Sequence, residues 1–170
     1  PSCGLCNLTE AIARANDTLD TLKHKIELAT ILGTFQSTLT NFRYVRPLWR
    51  ENAESERLLG VSLTGINDCP ALLNASPHEL TALRDHAIAV NKKWAEVLNI
   101  SPSVAVTTVK PSGTVSQLVD CASGIHERFS QYYIRRIRAD ATDPLARFMI
   151  DNGFSFEYCD KNKEKTVIFS

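Results

Sequence analysis

The sequence lacks an excess of charge of either sign, since nineteen Lys and Arg residues balance nineteen Asp and Glu residues. A chain without net charge produces no long-range field that attracts nucleic acid or an anionic membrane surface. The sequence also lacks a secretory leader and an uncharged apolar run long enough to cross a bilayer. We therefore expect a cytoplasmic protein with no nucleic-acid and no membrane partner, in which local groups recognise any phosphate.

Cysteine is present in an odd number, five, and lacks the dense spacing of a secreted disulfide framework. Cys3 and Cys6 form one Cys-x-x-Cys pair, but no second pair and no close pair of histidines follows to complete a tetrahedral metal site. We therefore predict no metal site. From the pattern alone, a redox-active thiol, half of a zinc site and two inert residues beside a strand stay open as explanations of the pair.

What is present is an ordinary globular composition over 170 residues, with 44% apolar and 22% charged residues. No repeat, low-complexity tract or linker divides the chain, so residues 1–170 are predicted to form a single domain without an internal boundary. The chain begins at Pro1 and ends at Ser170 within a strand-like run. We expect it to be a segment of a longer protein.

Helical and strand-like patterns alternate along the first two thirds of the chain. Apolar residues at helical spacing predict a helix from Asp17 to about Phe42, and a glycine-flanked apolar run predicts a buried strand over residues 58–65. Ser76, Pro77 and Glu79 form a capping box that begins a long helix. This alternation predicts an α/β fold with a largely parallel sheet covered by helices.

The remaining segments are predicted from shorter patterns. They are an exposed helix within residues 43–57, a strand over residues 132–138, a short helix from Asp143 to Gly153, and two strands over residues 154–158 and 166–169. His78 and His86 are predicted on the exposed side of the long helix.

A polar turn follows residues 103–109, which are rich in valine and threonine and predict a buried strand. Pro111, Ser112, Gly113 and Thr114 interrupt this strand, and a helix is predicted to begin at Val115. Unpaired N–H groups at such a turn can hold a phosphate. The ordinary alternative is a strand-to-helix turn with Thr114 as N-cap. The glycine spacing of a P-loop is missing.

Four segments of the chain carry recognisable motifs. They are Leu-Cys-Asn-Leu-Thr-Glu at 5–10, Arg-Leu-Leu-Gly-Val-Ser-Leu-Thr-Gly at 57–65, residues 109–118 with Lys-Pro-Ser-Gly-Thr, and Ser-Gly-Ile-His at 123–126 with residues 132–138. In this order they together resemble the catalytic chain of ribonucleotide reductases. The resemblance is greatest to the adenosylcobalamin-dependent class II enzymes of the monomeric ribonucleoside-triphosphate reductase type.

The resemblance implies that the chain is part of the second half of a ten-stranded α/β barrel. It implies thiyl-radical reduction of ribonucleoside triphosphates to 2′-deoxyribonucleotides, with adenosylcobalamin as cofactor and a cysteine pair as the source of electrons. Its implied partners are the triphosphate substrate, a deoxyribonucleotide effector and a thioredoxin-type dithiol reductant. The parent enzyme is expected to be monomeric and cytoplasmic.

The resemblance also implies which residues act. Cys6 matches one member of the reducing pair, and a set of six consecutive residues matches the loop that holds the substrate phosphates: Pro111, Ser112, Gly113, Thr114, Val115 and Ser116. The radical cysteine and the catalytic glutamate are expected upstream of Pro1, so this segment alone is expected to be inactive.

One position departs from the family pattern, because Glu127 stands where proline is expected after Gly-Ile-His. Two alternatives stay open at this stage. One is a dimeric ribonucleoside-diphosphate reductase with the same chemistry, and the other is a non-catalytic nucleotide-binding module.

Overall fold

The computed structural model describes residues 3–170, and the chain divides into two compact units. The first unit comprises the described residues up to Arg128, and the second runs from Phe129 to Ser170. This division has no counterpart in the sequence pattern, which indicates no boundary. That both units belong to one domain stays a prediction.

The first unit is built on two parallel strands, β1 (Asn7–Ile12) and β2 (Leu59–Thr64). They pair in register from Asn7 opposite Leu59 to Ile12 opposite Thr64. Residues 103–109 extend the sheet, since a parallel bridge joins Val61 to Thr107 and the Thr108 N–H donates to the Val61 carbonyl at 3.0 Å. The predicted parallel pairing is therefore confirmed.

Helices connect these strands. In chain order they are α1 (Leu19–Gln36), α2 (Pro47–Glu56), α3 (Pro70–Leu73), α4 (Pro77–Val97) and α5 (Gly113–Leu118), and a 3-10 turn lies at Ile66–Asp68. Capping boxes begin α1 at Thr18 and α4 at Ser76. Both starts agree with the sequence patterns, because capping is decided within three residues.

The core of this unit lies between the sheet and the helices α1 and α4. Leu22, Ile26, Leu59 and Ala87 are buried in it. Gly33 lies inside α1 and faces the sheet, where a Cβ would lie 3.5 Å from Leu59 and from Thr9, in ordinary van der Waals contact.

A buried amide joins α4 to two other parts of the unit. Asn91 Nδ2 donates to Thr34 Oγ1 and to Ser103 Oγ, each at 3.0 Å, and the Ser103 N–H donates back to Asn91 Oδ1 at 2.9 Å. A buried amide is stabilising only when its donors and acceptor are satisfied. These bonds therefore fix the start of the third extended segment against the helices.

The third segment is less buried than its composition predicts. Val106 is buried, whereas Val104 and Val109 are each 74% exposed. The reason is that, in the described part of the chain, this segment has a hydrogen-bonded neighbour on one side, β2. The prediction of a fully buried strand was wrong, because burial depends on what covers a strand as well as on its own residues.

Three further predictions need correction. The helix α1 ends at Gln36, well before Phe42. The helix after the turn begins at Gly113 with Ser112 in the N-cap position, so neither Val115 as its start nor Thr114 as its cap was right. His86 is only 20% exposed in its side chain and lies 3.8 Å from a Glu27 oxygen.

The second unit is a small antiparallel sheet with one helix. Its elements are β3 (Ile137–Asp140), α6 (Pro144–Asp151), β4 (Phe156–Tyr158) and β5 (Thr166–Phe169), with the strand order β3-β5-β4. Ala146, Val167 and Phe169 form its core. Residues 132–136, predicted as part of a strand, are exposed and irregular, and the strand begins at Ile137.

Among residues 3–170, no helix is both long enough and apolar enough to cross a membrane.

Candidate functional site

The polar turn predicted to hold phosphate lies where the third extended segment ends and α5 begins. Gly113, Thr114 and Val115 are exposed there, and their N–H groups belong to the first helical turn, which lacks intrahelical acceptors. Gly113 has φ +27°, and a Cβ added to it would meet no atom within 4 Å. The space in front of the turn is therefore open to a ligand.

The two serines of the turn face inward. Ser112 is buried and its Oγ donates to Glu10 Oε2 at 2.9 Å. Ser116 is also buried and its Oγ donates to the Gly113 carbonyl at 2.8 Å. These hydroxyls shape the turn and do not project into the open space, which leaves backbone N–H groups and Thr114 on the exposed side.

Glu10 comes from β1 and lies under the turn, with a side chain that is only 7% exposed. Besides accepting from Ser112, it lies 3.5 Å from Lys110 Nζ through Oε1. Sequence analysis did not single out Glu10 as a site residue. The sequence feature that could have indicated it is a carboxylate within a strand, at an even number of residues after Cys6 and so on the same face.

The loop at residues 123–126 packs directly against the turn. Gly124 has φ +57°, and a Cβ there would lie 2.9 Å from the Lys110 carbonyl oxygen. The Gly124 N–H donates to Thr64 Oγ1 at 3.0 Å, and this hydroxyl donates to the Ala122 carbonyl at 3.0 Å. Two segments that resemble the same family therefore meet in space, at the carboxyl end of β2.

The far end of α5 is held by arginine. Arg14, just beyond β1, donates from Nη1 to the Asp120 carbonyl at 2.7 Å and from Nη2 to the Val119 carbonyl. Arg128 pairs with Asp120 at 2.7 Å and with Asp68 at 3.0 Å. The hydrogen bond from Arg128 is the main reason why the pKa of Asp68 lies below its ordinary value.

Cys6 lies immediately before β1, on the opposite end of that strand from Arg14. A Cβ built on Gly60 would be 3.0 Å from Cys6 Sγ and 3.0 Å from Thr108 Cγ2, so the sulfur lies over Gly60 beside the third segment. Cys6 is exposed as a whole residue, but partial burial of its sulfur raises the pKa of the thiol.

Strand alternation relates Cys6 to the turn. Residues 8 and 10 point to one face of the sheet, and the Cys6 sulfur lies on that face because it sits with Leu8 over Gly60; Cys6 thus shares the face with Glu10, which holds Ser112. Four residues of strand correspond to about 13 Å. The Cys6 sulfur and the turn are thus on the same face of the sheet but at different positions along β1.

The other cysteines are not brought to this face as a group. All five are free thiols, and Cys69, Cys121 and Cys159 are buried. Cys3 accepts a hydrogen bond from Arg46 Nη2 at 3.2 Å. Within residues 3–170, no group of three His, Cys, Asp or Glu side chains has the arrangement of a metal site.

A mainly apolar cavity of about 350 Å³ also lies in the first unit. Its walls include Leu63 on β2, Leu80 and Leu83 on α4, and Thr108 in the third segment. Ser62, Arg84, Thr107 and Thr108 are its polar lining residues, and Arg84 is paired with Asp85 at 2.7 Å. No motif of the sequence analysis assigns a function to this cavity.

Comparison with known proteins was made by sequence and by structure. No protein-family model matches the chain. The adenosylcobalamin-dependent ribonucleoside-triphosphate reductase of Lactobacillus acidophilus is 30% identical over 89% of this chain and 24% of the relative. The enzyme of the same name from Euglena gracilis is 31% identical over 98% of this chain and 23% of the relative.

A probable enzyme of this kind from Dictyostelium discoideum is 30% identical over 96% of this chain and 22% of its own length. A crystal structure of a B12-dependent (class II) ribonucleotide reductase matches 98% of this chain and 27% of its own, with TM-score 0.65 and 22% identity. The mixed α/β fold therefore resembles that structure. The chain spans about a quarter of the length of the curated relatives it matches.

Proposed function

We propose that the protein containing this chain reduces ribonucleoside triphosphates to 2′-deoxyribonucleotides. The premise is that the chain belongs to the family of adenosylcobalamin-dependent ribonucleoside-triphosphate reductases. The family expected from the four sequence segments is confirmed by these relatives. Their names favour a triphosphate over a diphosphate substrate and an enzyme over a non-catalytic module. The segment would be part of the second half of a ten-stranded barrel.

The observation that carries this proposal is that one face of the sheet bears both an open turn and a thiol. Pro111, Ser112, Gly113, Thr114, Val115 and Ser116 would hold the substrate phosphates. The support is the open space at Gly113 and the exposure of residues 113–115, whose N–H groups belong to the first turn of α5. Such groups carry partial positive charge and accept an anion without a nearby cation.

Cys6 would be one member of the thiol pair that supplies electrons. When the 2′ hydroxyl leaves as water, two electrons must come from the protein, and two thiols provide them by forming one disulfide and releasing two protons. An ordinary thiol is already mostly protonated at neutral pH, and partial burial raises the pKa of Cys6 further. A protonated thiol can give both an electron and a proton, which is what the reduction needs.

Adenosylcobalamin would supply the radical when bound to the whole protein. The apolar cavity of about 350 Å³ does not fit it, because this volume is at the small end of ordinary small-molecule sites and the corrin is much larger. The radical cysteine and its glutamate would lie upstream of Pro1. The segment alone would therefore be inactive.

The remaining partners belong to the whole protein. A thioredoxin-type dithiol would regenerate the thiols after each turnover, and a deoxyribonucleotide effector would bind elsewhere in the full-length chain. We propose that the complete enzyme is monomeric and cytoplasmic.

The first test replaces Cys6 by serine in the intact enzyme. Cys6→Ser removes one of the two sulfurs that form the disulfide, so we expect at most one partial turnover and no sustained reduction by dithiols. Deoxyribonucleotide formation is measured over single and multiple turnovers. The matched control is Cys3→Ser, which should retain the normal rate, and a normal multiple-turnover rate in Cys6→Ser would contradict the assigned role.

The second test places a negative charge in front of the turn. Gly113→Asp points its side chain into open space but carries the backbone strain of a positive φ, and we expect the KM for the nucleotide to rise about tenfold or more by charge repulsion. Gly153→Asp is the control, because Gly153 also has positive φ and open space but lies in the second unit. An unchanged KM in Gly113→Asp, with both variants folded, counts against the phosphate assignment.

A further inference from the structure

We infer that Glu10 is a positioning residue that fixes the nucleotide-binding turn to β1 by accepting the hydrogen bond from Ser112. This inference rests on the proposed function of the turn. It assigns to Glu10 no contact with the substrate. Its basis is the contact between residues that lie 102 positions apart in the chain.

The burial of Glu10 is the first step. A carboxylate with a side chain only 7% exposed is costly unless other groups compensate for lost water. Ser112 compensates at Oε2 through a hydrogen bond of 2.9 Å, and the Lys110 cation compensates at Oε1 from 3.5 Å. Both partners flank Pro111, so the compensation draws the beginning of the turn onto β1.

The two contacts differ in kind. The Ser112 bond has ordinary hydrogen-bond length, whereas 3.5 Å from Lys110 Nζ to Oε1 exceeds the usual N–H···O range. Oε1 also has no hydrogen-bond partner within the described chain. The serine contact therefore fixes geometry, while the lysine is attracted by charge and can still donate to another acceptor.

Ser112 is the residue through which this effect would reach the substrate. It occupies the N-cap position of α5, and its buried hydroxyl points away from the open space at Gly113. Its carbonyl accepts from the Ser116 N–H at 3.3 Å, so its position sets the direction of the first helical turn. A displaced Ser112 would turn the N–H groups of Gly113 and Thr114 away from the phosphate.

Three variants of the intact enzyme separate the hydrogen bond from the charge. Glu10→Ala removes both, Glu10→Gln keeps an oxygen that can accept from Ser112, and Ser112→Ala removes the donor. We expect Glu10→Ala and Ser112→Ala each to raise the nucleotide KM about tenfold with little change in kcat, the size of one hydrogen bond to a charged group. Glu10→Gln should stay within about twofold of the parent enzyme.

The decisive measurement is the double variant. If Glu10 acts through Ser112, the KM of Glu10→Ala with Ser112→Ala equals that of either single variant, because the same bond is removed. Additive effects, or a KM unchanged in folded Ser112→Ala, overturn the inference. Should Glu10→Ala fail to fold, Ser112→Ala and Glu10→Gln still decide it. Glu54→Ala, which removes the exposed partner of Arg50, is the control and should leave KM unchanged.

A purely structural role for Glu10 predicts something else, namely a lower melting temperature with KM and kcat of the folded fraction both unaltered. The failure of the inference is also distinct from the failure of the proposed function. If Gly113→Asp raises KM but Glu10→Ala does not, the turn binds nucleotide without help from Glu10. If neither changes KM, the turn is not the nucleotide site.

Discussion

At the scale of single residues, the environment of each side chain decides its chemistry. Cys6 and Cys3 belong to one Cys-x-x-Cys pair, yet the sulfur of Cys6 lies over Gly60 whereas that of Cys3 accepts from Arg46. Burial disfavours the charged thiolate and raises the pKa of Cys6. The two thiols of the pair therefore lie in different environments.

This difference predicts a pH dependence of alkylation. Since the pKa of Cys6 is raised, less thiolate exists at a given pH, and the labelling rate should rise with pH to a midpoint above that of an ordinary thiol, about 8.5. Iodoacetamide labelling of the intact protein, followed by mass spectrometry of the Cys6 peptide, measures it. A free peptide with the sequence of residues 4–10 is the control, and a protein midpoint at or below that of the peptide disproves the shift.

At the scale of elements, α4 shows how completely a helix start can be encoded locally. Ser76 Oγ accepts from the Glu79 N–H at 3.3 Å, and Glu79 Oε2 accepts from the Ser76 N–H at 2.7 Å. Pro77 occupies the first helical position. By contrast, α1 ends at Gln36 although apolar residues continue at helical spacing to Leu39. Helix ends are less well determined by periodicity than capped starts.

The capping box of α4 gives the prediction at this scale. Ser76→Ala removes the acceptor for the Glu79 N–H and should destabilise the start of the helix by about 1 kcal/mol. Hydrogen exchange should become faster at the amides of the first turn, and the middle of α4 should be unaffected. Ser55→Ala, in the last turn of α2 and away from any helix start, is the matched control. Unchanged exchange in the first turn of Ser76→Ala contradicts the cap.

At the scale of the whole first unit, distant segments converge at the carboxyl ends of the strands. Gly65 follows β2 with φ +78°, and a Cβ there would be 2.4 Å from the Ala13 carbonyl oxygen beyond β1. Gly124 brings the loop at 123–126 against Lys110 in the same way. At Gly65 and at Gly124, a side chain would push the two backbone segments apart. The polar turn at residues 111–114 depends on the contact between Gly124 and Lys110.

Gly124→Ala tests this dependence. The new Cβ would lie 2.9 Å from a backbone oxygen in a left-handed conformation, so we expect a loss of about 1–3 kcal/mol in stability and a higher nucleotide KM. Gly153→Ala carries the same conformational strain without a close atom and should destabilise less, with KM unchanged. Melting temperature and KM of the intact protein are measured. Equal effects of the two variants would show that the contact with Lys110 is unimportant.

The sequence predicts those features that depend on a few neighbouring residues. The starts of α1 and α4 and the strand β2 follow from it, because caps and apolar patterns act within a few residues. The family follows from four short segments of the sequence. Two predictions about the third segment and α5 were wrong. The burial of residues 103–109 depends on the strands beside them, and Ser112 occupies the N-cap position while its side chain bonds Glu10 and makes no capping hydrogen bond to the helix. The catalytic roles of Cys6 and the turn stay predictions.

By itself, the sequence determined that the chain is α/β, which helices start where, and to which family it belongs. Only the tertiary structure decided that Glu10 holds Ser112, that Arg14 holds the end of α5, and that Gly124 rests on Lys110. The physical reason is distance along the chain. Local patterns specify the dihedral angles of a few residues, whereas contacts across a hundred residues depend on the register of parallel strands and on how the core packs beneath them.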